Sequence, residues 1–269
     1  MFRPEMRVIL YTGKGGVGKS TVATNLAAAL VAQGATVGLL DCDIYGPSVP
    51  QMTGTENDRP TADEHAFQPL VRHGLKLMSI GYLVPPGESI VWRGPLVHKA
   101  IQQFLTDVAW GELDYLLIDL PPGTGDAQLS LSQTIPLTGA VLVTTPQEIS
   151  LIDVRRGGAM FAKVSVPLLG VVENMSGFAC PHCDEISYIF ARGGGERVAK
   201  EMDVPFLGAI PIDPAVREGG DGGTPSVVSH PDSASSQAFT TVAQLLAGRV
   251  SQLNVGGGVT FGQSLPVIR

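Results

Sequence analysis

The chain has 269 residues, 44% hydrophobic and 16% charged, which suits a sizeable globular core in one large α/β domain or two small ones. Its 18 Lys and Arg against 25 Asp and Glu leave a formal charge of −7, which argues against a chain whose main work is coating nucleic acid or anionic lipid. Three cysteines are too few for a disulfide scaffold, no apolar run reaches the roughly 18 residues of a membrane span, and the N-terminus lacks the layout of a secretory leader, so a reducing cytosol is the expected compartment.

Met6–Gly13 (MRVILYTG) predicts the first buried strand. Val22, Leu26, Ala29, Leu30 and Gln33 mark a helix closed by Gly34, and Thr36–Asp43 returns as a second strand. The polar, turn-rich stretch 45–74 predicts an excursion from the sheet. Further strands are expected at Asp114–Gly123, Gly139–Pro146, Pro167–Met175 and Pro205–Pro211. Ser235–Leu253 reads as a closing helix, and the glycine-rich tail near 254–269 as loosely ordered or docked as an extended segment. The strand runs are apolar throughout rather than alternating, as when helices cover both faces of a parallel sheet. The expected fold is therefore α/β, a doubly wound, mostly parallel sheet flanked by helices, with functional loops at the carboxyl ends of its strands. No repeat or long linker divides 1–269, which reads as a single domain.

The loop after the first strand is Gly13, Lys14, Gly15, Gly16, Val17, Gly18, Lys19 and Ser20, which fits G-x-x-x-x-G-K-[ST] between a strand and a helix. Glycines let backbone N–H groups turn inward around phosphate oxygens, and the helix N-terminus adds favourable dipole charge. Lys19 is expected at the β- and γ-phosphates and Ser20 on Mg²⁺, with Thr21 beside it in the nucleotide site. Asp119 ends a strand in LLIDLPPGTGD, placed to hold Mg²⁺ through water, and a proline-glycine turn follows that would sense the γ-phosphate. Asp41 and Asp43, two apart in LLDCDIYGPS, lie on one side of their strand, although either also suits a cap or a turn. No guanine-reading signature follows, so ATP is favoured over GTP.

Cys180 and Cys183 stand three positions apart in ENMSGFACPHCDEIS. Two thiolates are half of an ordinary four-ligand site, and iron–sulfur clusters and zinc both take such pairs. CPHC also matches the active tetrapeptide of some thiol–disulfide proteins, though those start a helix in a different fold. His182 between them reads as a solvated turn residue or a substitute ligand. A two-fold dimer would supply two more thiolates without a new motif.

KGGVGK resembles the deviant phosphate loop of the MinD/ParA/nitrogenase-iron-protein group of P-loop ATPases. That resemblance implies that Lys14 reaches across a homodimer, that Asp43 orients the attacking water, that Asp41 supports the metal shell and that Asn174 contacts adenine. DIYGPS, LIDLPPGTGD, ENMSGFACPHC, GGGERVAKE and VPFLGAIPIDPAVREGGDGGTP, in one order across nearly the whole chain, resemble the Mrp/ApbC family of ATP-dependent iron–sulfur cluster carriers. The family resemblance implies a homodimer bridged by one [4Fe–4S] cluster on Cys180 and Cys183 of each subunit, with apo iron–sulfur proteins as recipients. It also implies slow ATP hydrolysis with Mg²⁺, carried by Lys14, Lys19 and Asp43, and no nucleic-acid or membrane partner. Many members have an additional N-terminal domain, which is expected to be absent here. Cys42 stands where the family usually has a small residue such as Ala and is expected to be an apolar filler; Asp184 stands where Gly is common.

Three rivals remain open. A MinD/ParA-like positioning ATPase acting on membrane or DNA wants a basic amphipathic C-terminal helix or a basic surface. A dimeric zinc-binding P-loop ATPase would use the same two cysteines. A reductase resembling the nitrogenase iron protein draws its cysteines from two separate places.

Overall fold

The structure is a computed structural model and describes residues 6–63, 66–83, 94–123, 137–180, 182–183 and 185–256. In chain order its strands are Arg7–Thr12 (β1), Val37–Asp41 (β2), Thr61–Ala62 (β3), Phe67–Gln68 (β4), Leu70–Arg72 (β5), Leu75–Ser79 (β6), Tyr115–Asp119 (β7), Gly139–Thr144 (β8), Leu168–Ala179 (β9), Ile186–Ser187 (β10) and Phe206–Ile212 (β11). The main sheet runs β10-β9-β8-β1-β7-β2-β6-β5, with β11 also paired to β9. Pairing is parallel from β9 through β6 and antiparallel at the two ends, where β10 meets β9 and β5 meets β6. This is the doubly wound, mostly parallel sheet read from the apolar runs.

Alternation along each strand divides the core between the two faces. Ile9, Tyr11, Leu39, Leu117, Val141 and Val143 belong to one buried cluster, with Val22, Leu26 and Leu30 of the helix Lys19–Ala32 and Phe239, Val242 and Leu246 of the helix Ala234–Gly256. Leu10, Leu40, Ile118, Leu142 and Val171 belong to the other, with Phe104 of Gly94–Thr106, Phe161 of Glu148–Lys163 and Val198 of Gly194–Glu201. Helices therefore cover both faces, and the chain crosses over so that the carboxyl ends of β1, β2 and β7 lie side by side. Tyr11 and Asp41 are both in register with Asp119.

Two stretches differ from the sequence reading. The stretch 45–74 carries the short helix Val49–Met52 and the β3–β4 pair, but its end is β5, which closes the sheet edge by setting Leu70 against Leu77. The last helix continues to Gly256, since glycine weakens a helix without forbidding it; residues 257–269 of the tail lie outside the described residues.

Candidate functional site

Thr12 ends β1, and the loop to Lys19 turns through Gly16 at φ 83 and Gly18 at φ 78, left-handed conformations that glycine adopts without steric cost. Gly13 packs directly on the carbonyl of Val143, where a side chain would collide. Gly18 then caps the helix Lys19–Ala32, its carbonyl accepting from Val22 N–H at 2.9 Å. Lys19 is buried, with Nζ 3.8 Å from Asp43 Oδ2. Thr21 lies in the first turn and its carbonyl accepts from the Asn25 amide at 3.0 Å. Gly15 and Gly16 are exposed and Lys14 is half-buried. Lys14 lines a cavity of about 390 Å³ with Gly13, Pro122, Gly123, Asp153 and Arg156, between the loop and the helix Glu148–Lys163.

The strand ends bring the predicted carboxylates to this loop. Ser20 Oγ donates to Asp119 Oδ2, while Asp119 Oδ1 is buried without a hydrogen-bond partner among the described residues. Burial raises the Asp119 carboxyl, opposed by the Lys19 charge and the Ser20 hydroxyl. Asp41 accepts from Asp43 N–H at 3.0 Å, Val49 N–H at 3.2 Å and Ser79 Oγ at 2.9 Å. Burial, and next the neighbouring Asp119 charge, still push its carboxyl above the usual carboxylate value. Asp43 accepts from Tyr45 N–H at 3.1 Å, so it opens the turn that leaves the sheet. Cys42 between the two is buried in the core cluster with Leu40 and Ile118, and burial raises its thiol. The Ser20 hydroxyl and the buried, unpartnered Asp119 oxygen are oxygen donors of the kind Mg²⁺ prefers.

Asn174 reaches the phosphate loop from β9. Its Nδ2 donates to the Val17 carbonyl at 2.9 Å, and a Cβ on Gly18 would come within 2.5 Å of that same nitrogen. Beside it, Glu173 is buried and accepts from Gly195 N–H at 2.6 Å, with the N–H groups of Gly193 and Gly194 also directed at it. A carboxylate here complements the N-terminal dipole of the helix Gly194–Glu201. A side chain at Gly194 would strike the Pro146 carbonyl and one at Gly195 would strike Glu173, so these two glycines form a close-approach surface, while Gly193 serves the turn with φ 66.

Beyond Asn174, β9 becomes one limb of a hairpin. Ala179 pairs with Ile186 and Phe178 with Ser187, and Cys180 N–H donates to the Glu185 carbonyl at 3.0 Å. Cys180 is half-buried and Cys183 exposed. The Cys180 thiol is lowered by the backbone N–H of His182, then by the Cys183 thiol and its N–H, all aimed at its sulfur. Donors converging on sulfur favour the thiolate that metals require. His182 is exposed in the turn; Asp184 lies outside the described residues. Among the described residues no group of three or more His, Cys, Asp and Glu could hold a metal ion, so the two cysteines are an incomplete site within one chain.

Ser79 and Glu173 escaped the sequence reading. Ser79 ends β6 in register with Asp41, which the short apolar run LKLMS could have signalled. Glu173 is a charge inside the apolar run PLLGVVENM, itself a signal of a paired buried group. The expected sensing turn after Asp119 is described only through Gly123; its residues 124–126 lie outside the described residues.

The NUBPL iron-transfer P-loop NTPases of the ParA group match residues 4–247. An iron–sulfur cluster carrier protein of Deinococcus radiodurans is 54% identical over 245 residues, covering 91% of this chain and 69% of the relative. A protein of the same name from Methanocaldococcus jannaschii is 50% identical over 253 residues, covering 93% of this chain and 87% of the relative. Among solved structures, a nucleotide-binding protein from Archaeoglobus fulgidus in complex with ADP superimposes with a TM-score of 0.73 at 41% identity, over 82% of this chain and 88% of that one. The cell division ATPase MinD of Pyrococcus furiosus gives 0.66 at 27% identity, over 90% and 98%.

Proposed function

The chain belongs to the NUBPL iron-transfer P-loop NTPase family, and from that membership we propose that it is an ATPase that carries a [4Fe–4S] cluster and delivers it to apo iron–sulfur proteins. The observation that carries this reading is the single strand β9, which presents Asn174 to the phosphate loop and Cys180 at the hairpin just beyond. ATP would occupy Gly13–Ser20, with Lys19 on its terminal phosphates. Ser20 and Asp119 would hold Mg²⁺, which supplies charge neutralisation for the phosphates. The unpartnered Asp119 Oδ1 supports that assignment. Asp43, close to Lys19, would orient the attacking water, and Asp41 would fix the turn that carries Asp43 through the bond to its N–H. Asn174 would serve adenine recognition through the loop it already braces. Lys14 would act on the nucleotide of a second copy.

Cluster binding needs four thiolates, commonly, and the chain offers two at one place. Two copies related by a two-fold axis would complete the set, so the homodimer is part of the proposal. A site shared between subunits opens without unfolding either one, which suits a cargo that must leave. Zinc would use the same thiolates. A positioning ATPase of the MinD kind leaves Cys180 and Cys183 without a role, and among the described residues no helix is long and apolar enough to cross a membrane.

Anaerobic reconstitution with iron and sulfide tests the reading. The parent chain is expected to take up iron and sulfide in equal amounts at four of each per two chains, commonly. A Cys180→Ala/Cys183→Ala variant is expected to take up neither while binding ATP as the parent does. Zinc uptake by the parent without sulfide would overturn the cluster assignment.

A further inference from the structure

The cysteine hairpin carries apolar surface that stays exposed among the described residues. Ile186 and Ile189 are 57% and 58% exposed, and Tyr188 is 43% exposed. All three follow Cys183 on the returning limb. The limb is not loose: Ile186 pairs with Ala179 in β10, the Tyr188 ring lies close to Gly177, and the Arg192 guanidinium sits 4.9 Å from the Tyr188 ring centroid. Its apolar groups are thus held outward in one arrangement, beside two thiols that need two further ligands.

The occupant that fits is a second copy of this chain. The cysteine pair is incomplete alone among the described residues, and the remaining cysteine, Cys42, is buried in the core. Whatever completes the site must therefore approach the face that bears Ile186, Tyr188 and Ile189. A two-fold contact sets a patch against itself, and an apolar patch is complementary to itself where a charged one is not. Glu185 and Arg192, of opposite sign, bracket the limb, so an antiparallel meeting of two hairpins pairs unlike charges at its ends.

Resting on the shared site proposed above, we infer that Ile186, Tyr188 and Ile189 form an apolar collar that packs against the same residues of a second copy and shuts water out of the joined cysteine site. Three side chains from each copy bury far less than the roughly 1,200 Å² of a stable interface. The collar therefore holds only when thiolates are bridged, and its effect is on retention of the cargo.

An Ile186→Ser/Ile189→Ser variant tests this, since both side chains are exposed. Unchanged thermal unfolding and ATP affinity would verify that the variant folds as the parent does. Parent and variant are loaded anaerobically with iron and sulfide, and three quantities are measured: the mass of the loaded species, the rate of iron loss to a ferrous chelator, and the rate of transfer to an apo-ferredoxin. The expected result is a loaded variant that dissociates on dilution and yields its iron about tenfold faster than the parent. Equal retention and mass with slower transfer to apo-ferredoxin would overturn the inference and make the patch a recipient dock. Equality in all three measurements would overturn it as well. A parent that takes up no cluster, or holds one as a monomer, would remove the shared site itself, and that failure is visible in the parent before any variant is made.

Discussion

The two functional ends of β9 are built to opposite standards. At Asn174 the strand meets a phosphate loop beside which Lys19, Asp41 and Asp119 are buried at three strand ends, with Ser20 bonded to Asp119 and Lys19 paired with Asp43. At Cys180 it runs into a turn in which Cys180 N–H donates to the Glu185 carbonyl and Cys183 is exposed. The nucleotide end is organised by contacts within one chain, and preorganised charge is what stabilises a transferring phosphate. The cysteine end presents two thiols that, in the proposed reading, a second copy completes. The difference matches the two tasks proposed above, chemistry that needs fixed geometry and a cargo that needs a door.

Uncoupling the ends is the sharpest way to break this contrast. Lys19→Ala is expected to lower ATP hydrolysis by about 10²–10³-fold, as for loss of one charged donor to a developing oxyanion, while iron and sulfide uptake stays at the parent level. Parallel loss of both would mean that the cysteine end depends on the nucleotide end for its structure. A smaller effect is expected from Glu173→Ala, which leaves the N–H groups at the start of Gly194–Glu201 without their carboxylate. Buried donors left unpaired cost about 1–3 kcal/mol, to be read as a lower denaturant midpoint with unchanged slope. No change in midpoint would mean that water replaces the carboxylate there.

The smallest expected effect is on pH dependence, and it belongs to one end alone. Burial raises the Asp41 and Asp119 carboxyls above their ordinary value of 3.8. The folded chain therefore holds those protons more tightly than the unfolded chain does. Without Mg²⁺ or nucleotide, the stability these two groups contribute is greatest in acid and falls as pH rises above about 4. Urea midpoints measured without Mg²⁺ should show a shallower fall with pH for Asp41→Asn than for the parent, and an unaltered slope for the cysteine double variant. A parent slope that Asp41→Asn leaves unchanged would show that Asp41 is already ionised in the fold.

Legibility follows the same division. The phosphate loop could be read because its requirements are local: glycine where φ is positive, lysine and serine at fixed offsets, a strand before and a helix after. Asp41 and Asp119 could be read because buried strands end in them. The bond from Asn174 to Val17 could not, since the partners are 157 positions apart and only the sheet order joins them. The run LKLMS signals a strand that ends in Ser79, but the bond of Ser79 to Asp41 depends on the pairing of β2 with β6. β10 has two residues, too few for any alternation to register, so the hairpin that presents the cysteines is legible only once β9 is seen to run on past Met175.

β9 also acts as a ruler. It is laddered to β8 and β11 near Glu173 and Asn174 and to β10 at Phe178 and Ala179, with one left-handed residue, Met175 at φ 56, between the two fixed segments. Adding or deleting one residue in that interval would turn every later side chain to the opposite face. Relatives that keep the mechanism can thus vary the identity of Ser176 or Phe178 far more freely than the number of residues separating Asn174 from Cys180.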